Sequence, residues 1–217
     1  EEKKFLEESV EGRPLTERNT CHPVTCRTQS RENVLSGLAC VRKLAREDKA
    51  LKFTALLHHV TVEQLGESYL ALKRKAQPGV DGVTWQQYGD DLANNLKYLH
   101  EKVHTGRYRP SPSKRCFIPK ADGSQRALGI ASLEDKIVQH SIAIVLNAIY
   151  ESDFLGFSYG FRPKRSAHDA LDAVAVGISI KNVNYVLDAD IQGFFDNLDH
   201  EYMLKFLQHR IADKRVL

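Results

Sequence analysis

Five times in this chain a Thr, Ser or Asp stands directly ahead of an apolar stripe at helical spacing. Thr61 precedes Val62, Leu65, Tyr69 and Leu72; Thr84 precedes Trp85, Tyr88, Leu92, Leu96, Leu99 and Val103. Ser132 precedes Ile137, Val138, Ile142, Val145 and Ile149; Ser166 precedes Ala170, Leu171, Val174 and Ile178; Asp199 precedes Met203, Leu207 and Ile211. A side-chain oxygen at that position accepts from the orphan N–H groups of a first helical turn, and each stripe needs a surface to cover it. The pattern predicts an assembly made mainly of helices packed on one another. Gln64, three residues after Thr61, gives that start the form of a capping box. A further stripe of Leu35, Leu38, Val41 and Leu44 predicts helix over residues 34–60, with Arg42, Lys43, Arg46, Lys49 and Lys52 as a basic face.

Strand signals are fewer. Residues 107–115 contain Pro110 and Pro112 and read as an extended crossing. Two short strands at 116–120 and 125–130 follow, joined around Asp122-Gly123. With a loop at 122–124, Lys120 lies opposite Arg126 and the two cations share a face. A third strand is expected where Val183, Tyr185 and Leu187 alternate with smaller or polar residues. It runs into Asp188 and Asp190, then Gly193, Phe194 and Phe195. The fold class is therefore α+β. A carboxylate at a strand exit has a rigid base and an exposed tip, which suits a hard divalent cation; a surface strand end decorated with Asp has the same local sequence.

Bulk properties narrow the function classes. With 217 residues and 42% hydrophobic content the chain can build a packed core, and its excess of Lys and Arg over Asp and Glu (31 against 28) is slight. The distribution is more telling. Residues 101–130 hold Lys102, Arg107, Arg109, Lys114, Arg115, Lys120 and Arg126 against only Glu101 and Asp122, a local excess that fits a polyanion or a solvated charged face. Residues 157–165 interleave Phe157, Tyr159 and Phe161 with Arg162, Lys164 and Arg165, a mix suited to base stacking with phosphate contacts. Cys21, His22 and Cys26 fall short of a zinc ligand set. No apolar run has the length of a membrane span and no signal-peptide pattern opens the chain, so the expected setting is a reduced cytoplasm, with no membrane partner. Residues 1–33 are polar and turn-rich and read as a flexible extension.

The wording of four stretches adds a family. Gln77-Pro-Gly-Val-Asp-Gly-Val-Thr-Trp85, Ile118-Pro-Lys-Ala-Asp-Gly-Ser-Gln-Arg-Ala-Leu-Gly-Ile130, Gly156-Phe-Ser-Tyr-Gly-Phe-Arg-Pro163 and Asp190-Ile-Gln-Gly-Phe-Phe-Asp196 occur in that order. Together they resemble successive blocks of reverse transcriptases of the group II intron-encoded (maturase) type and their bacterial relatives. The resemblance implies a flexible segment at 1–33, a helical N-terminal extension at 34–77, fingers at 78–182 and the beginning of a palm at 183–217. It implies RNA-directed DNA synthesis with Mg²⁺, in which Asp190 and the backbone carbonyl of Ile191 ligate the metal. Lys120 and Arg126 then grip the triphosphate, and Phe195 packs under the deoxyribose. Arg42, Lys43, Arg46, Arg162, Lys164 and Arg165 become candidates for contact with nucleic acid. The implied partners are an RNA template, a DNA or RNA primer, deoxynucleotides and intron RNA; oligomeric state is left open. Gln192, Asp188, Asp196 and Asp199 receive no metal role.

One departure is plain. The family's Tyr-x-Asp-Asp motif does not occur after Asp190, so a piece of a longer polymerase is expected, inactive by itself. An RNA-binding maturase module, or a domesticated relative in phage defence or spacer acquisition, remains as an alternative.

Overall fold

The computed structural model describes residues 28–119 and 123–217, with side chains described from residue 37. Helix α1 (Thr28–Glu47) is followed by a 3₁₀ turn (Leu57–His59), α2 (Val62–Ala71), α3 (Trp85–Asp90) and α4 (Leu92–His104). A hairpin of β1 (Lys114–Pro119) and β2 (Gln125–Ile130) leads into α5 (Leu133–Tyr150), then α6 (Ala167–Ile180) and α7 (His200–Leu207). The α+β expectation holds, with the strands confined to one antiparallel pair among the described residues. No helix of the described residues is long and apolar enough to cross a membrane.

All five expected caps form. Thr61, Thr84, Ser132 and Ser166 each accept from the backbone N–H three residues on, and Asp199 accepts from those of Glu201 and Tyr202. Thr84 with Gln87 and Ser166 with Asp169 close full capping boxes. Gln64 does not complete the box expected at Thr61; its amide donates to Ser141 O on α5 instead, at 3.4 Å.

Helix α5 is the centre of the core. Its Ile137, Val145, Ala148 and Ile149 are buried among Leu38, Val41 and Ala45 of α1, Leu65 and Tyr69 of α2, and Leu96 and Leu99 of α4. The aromatic stripe read from Trp85 onward is core: Tyr69 and Trp85 stack at 4.5 Å, and each bonds the other's backbone carbonyl, at 2.8 and 3.1 Å. That stripe spans two helices rather than one, because the chain leaves helical geometry at Asp91 (φ −128°, ψ 47°). Gly89 just ahead of this break lies where a Cβ would stand 2.5 Å from the Tyr69 hydroxyl.

Three expectations are corrected. The helix predicted over 34–60 ends at Glu47, where Asp48 turns the chain by accepting from the N–H of Ala50 at 2.8 Å. Residues 183–190 do not form a ladder: Tyr185 and Leu187 are 93% and 91% exposed. No described strand lies beside them, and a strand without a partner leaves its backbone groups to water. The stripe on α6 does not turn inward either, since Leu171, Val174 and Ile178 are all exposed.

Beyond α7 the chain returns to the core. Ile211 is buried and bridges Phe53 in parallel, with Phe53 N–H donating to Arg210 O at 2.9 Å and Ala212 N–H to Phe53 O at 2.8 Å. Asp213 accepts from the N–H groups of Leu56 and Leu57 at 2.7 and 3.1 Å. Arg210 donates to the carbonyls of Ala45 and Lys49 and pairs with Asp153 at 3.6 Å. Residues 167–206 thus form an excursion whose two ends are fixed on one helical core.

Candidate functional site

Asp190 and Ile191 lie on that excursion, both exposed. The turn after them is compact. Gly193 adopts φ +60°, and its carbonyl accepts from Asp196 N–H, Asn197 N–H and the Asn197 amide at 3.1, 3.1 and 2.9 Å. A Cβ at Gly193 would meet that amide at 3.0 Å in a backbone conformation that L side chains rarely adopt. The turn separates two phenylalanines that spacing alone could not distinguish. Phe194 lines an apolar groove of about 460 Å³ with Ile191, Leu198, Tyr202, Met203 and Phe206. Phe195 meets Phe194 edge-on at 5.3 Å and stays 82% exposed. Asp190 and Phe195 are therefore both available on the same short segment.

Among the described residues no three His, Cys, Asp or Glu side chains come together as a metal-binding group. A single carboxylate does not satisfy Mg²⁺, which takes near-octahedral oxygen coordination. The residues present here do not by themselves fit a complete ion site.

The hairpin stands in solvent along nearly its whole length; only Cys116 and Ile130 are partly covered. Its register differs from the expected one. Arg126 lies opposite Ile118 and Pro119 opposite Gln125, a register shifted from the one that would set Lys120 against Arg126. Arg126 is exposed but is not paired across from Lys120, and Lys120 itself lies outside the described residues. The basic excess of 101–130 is partly neutralised. Lys102 pairs with Glu134 at 2.7 Å and Arg107 with Glu101, whereas Arg109 donates only to the neutral carbonyls of Gly106 and Tyr108 and keeps its charge. Lys114, Arg115 and Arg126 are left on the surface.

Arg42, Lys43 and Arg46 are exposed along α1, where Lys43 lies 3.8 Å from Glu47. Arg162 behaves differently from its neighbours. It is 8% exposed, pairs with Glu151 at 2.8 Å, donates to the carbonyls of Leu155 and Ser158, and lies over the Phe154 ring. Its guanidinium braces the loop from inside, whereas the role expected of it was contact with nucleic acid. Lys164, with φ +62°, is exposed, and Arg165 lies over Tyr159 at the surface.

Sequence reasoning missed Glu151. Its hydrogen-bonded Arg162 holds the carboxyl below the usual range against the upward push of burial, and Arg165 and Arg46 act in the same direction. This one carboxylate thus sits among cations from α1 and from the 151–165 loop. Two basic segments that are far apart in sequence share one neighbourhood. Nothing local marks Glu151, because its partners are non-local.

Residues 118–217 match the family Reverse transcriptase (RNA-dependent DNA polymerase). The chain is 37% identical over 186 residues to protein YkfC of Escherichia coli, covering 81% of this chain and 49% of that one. It is 34% identical over 133 residues to the group II intron-encoded protein LtrA of Lactococcus lactis, covering 58% of this chain and 22% of the other. A 91 kDa protein in the cob intron of Schizosaccharomyces pombe is 39% identical over 147 residues, 67% of this chain and 18% of its own length. The chain spans less than half the length of these relatives. Its four ordered motifs, its mixed fold and these matches place residues 118–217 in the reverse transcriptase family, with relatives that include group II intron-encoded proteins.

Proposed function

We propose that this chain supplies the N-terminal extension (34–77), fingers (78–182) and first palm segment (183–217) of an RNA-directed DNA polymerase. The observation that carries the reading is the segment 190–195. It holds a carboxylate and an outward-facing aromatic ring in the family's motif, on an excursion anchored to the core at both ends. In this reading Asp190 contributes one carboxylate, and Ile191 its backbone carbonyl, to a divalent-metal site whose other carboxylates lie outside the described residues. Such an ion stabilises the attacking and leaving oxygens of a phosphoryl transfer. Phe195 presents a flat face to the sugar and offers a 2′-hydroxyl no hydrogen-bond partner. Arg126, with Lys120, brings positive charge to the triphosphate.

The cations Arg46 and Arg165, which both act on Glu151, favour a second role on the same molecule, holding template or intron RNA through its phosphates. In a pure RNA-binding module these cations matter and Asp190 does not.

RNA affinity across a salt series, beside a primer-extension assay on the 217-residue chain, separates these elements. The expected result is RNA binding that weakens as salt rises, with a slope of about 0.7 per phosphate neutralised on a single strand, and no extension. Extension by the chain alone would mean that its carboxylates complete a metal site after all. Affinity indifferent to salt would remove the basic surface from the reading.

A further inference from the structure

The hairpin that carries Arg126 has almost no packing of its own. Ten of its twelve residues are exposed, and only Cys116 and Ile130 are partly covered. Its direction must therefore be set where its two stems meet the core. Both stems converge on one side chain. Asp135, in the first turn of α5, is 3% exposed. One carboxylate oxygen accepts from the Tyr108 hydroxyl, ahead of β1. The other accepts from the N–H of Ser111 at 3.1 Å, also ahead of β1, and from the Ser132 hydroxyl at 2.7 Å, just after β2. The Ser132 hydroxyl in turn caps α5 by accepting from Asp135 N–H at 3.3 Å. A third segment closes on the same point: a Cβ at Gly79 would come within 2.6 Å of Ser132 Cα.

We propose that Asp135 is the pivot of the hairpin, a positioning residue that sets where Arg126 stands by tying both stems to α5. The part concerning Arg126 rests on the polymerase reading; the pivot itself does not. No cation contacts the Asp135 carboxylate among the described hydrogen bonds and ion pairs, so its work is geometric: it accepts from three donors whose positions fix the two stems. Asparagine can reproduce most of this. Its oxygen can accept from Ser111 N–H and Ser132 Oγ, while its amide donates to Tyr108 Oη, since a hydroxyl can accept as well as donate. Alanine can reproduce none of it. Tyr108→Phe removes a single strut ahead of β1 and leaves the cap of α5 in place.

Hydrogen exchange on the 217-residue chain reads the pivot directly. Asp135→Ala should speed exchange within residues 114–130 by roughly tenfold or more, the scale of a lost hydrogen bond to a charged group. Tyr108→Phe should act in the same direction and less, and Asp135→Asn should restore near-native protection. In a primer-extending protein that contains these residues, Asp135→Ala should raise the nucleotide KM more than it lowers kcat. Unchanged exchange in 114–130, or loosening spread evenly over α1, α2 and α5 for both Asp135→Ala and Tyr108→Phe, would overturn the pivot. A loosened hairpin with an unchanged nucleotide KM would support the pivot and overturn the nucleotide role of Arg126.

Discussion

In the helical core, Leu65, Leu99, Ile137 and Ile149 are fully buried, whereas on the excursion Leu171, Val174, Tyr185 and Leu187 each stay more than half exposed. The two regions use the same residue types to different ends. Core side chains fill space between α1, α2, α4 and α5, and removing one leaves a cavity. On the excursion the same apolar groups touch little within the described residues, so its helices rest on local devices instead. Helix α6 has no buried residue but has a full capping box from Ser166 and Asp169. Stability therefore resides in the first region. The residues that match the catalytic motif lie in the second, held at the core through Arg210, Ile211 and Asp213.

The largest expected effect separates the two regions by stability. Ile149→Ala should cost about 2–5 kcal/mol through loss of burial and a residual cavity, while Leu171→Ala, equally apolar but 64% exposed, should change stability by less than about 0.5 kcal/mol. Chemical denaturation of both variants checks this, and equal losses would break the contrast.

Next comes the brace between them. Arg162→Ala leaves Glu151 without its partner and should cost about 3 kcal/mol, the low end for a broken buried pair, because Glu151 keeps 29% side-chain exposure. The same pair gives stability a pH dependence. Glu151 is held low by Arg162. At Asp213 burial pushes the carboxyl upward, but donation from Leu56 N–H, the Arg215 side chain and Leu57 N–H outweighs it and holds the group well below its usual value. A carboxyl depressed by folding stabilises the native state above its unfolded pKa, and that share is lost as pH falls below about 4. Acid titration of melting temperature should show this loss, and Arg162→Ala should flatten the Glu151 share of it.

Much of this architecture could be read from the chain. The caps at Thr61, Thr84, Ser132, Ser166 and Asp199 are local features, and all five form. What escaped depends on partners outside the local turn. The hairpin sets Arg126 opposite Ile118, a register that the Asp122-Gly123 turn signal alone did not specify. Asp135 looks like any first-turn acid until Tyr108 and Ser111 are brought to it. Arg162 has the composition of a nucleic-acid contact, yet Glu151 and two backbone carbonyls draw it inward. The segment 183–190 has strand composition, but pairing requires a neighbour that composition cannot supply. At the candidate site the motif placed Asp190 and Phe195 together, and the structure added that Phe195 is the more exposed of the two rings, while Phe194 lines the groove.

Smaller effects belong to the exposed segments. Arg126→Ala should raise the nucleotide KM by roughly tenfold, the scale of one charge-assisted hydrogen bond, with little change in melting temperature; steady-state kinetics with varied deoxynucleotide checks it. Phe195→Ala should leave the melting temperature within a degree or two, since its ring is 82% exposed. It should instead admit ribonucleotides, measured as the ratio of ribo- to deoxynucleotide incorporation. A fall in stability comparable to that of Ile149→Ala would place the ring in a core and remove it from sugar selection.

The central claim is that chemistry resides at Asp190 on a segment that contributes little to stability. Asp190→Asn keeps the shape and removes the anion. In a primer-extending protein that contains this chain, extension, RNA affinity and melting temperature should be measured side by side. The account predicts that extension is abolished while RNA affinity and melting temperature stay at their wild-type values. Extension at a near-normal rate would contradict it.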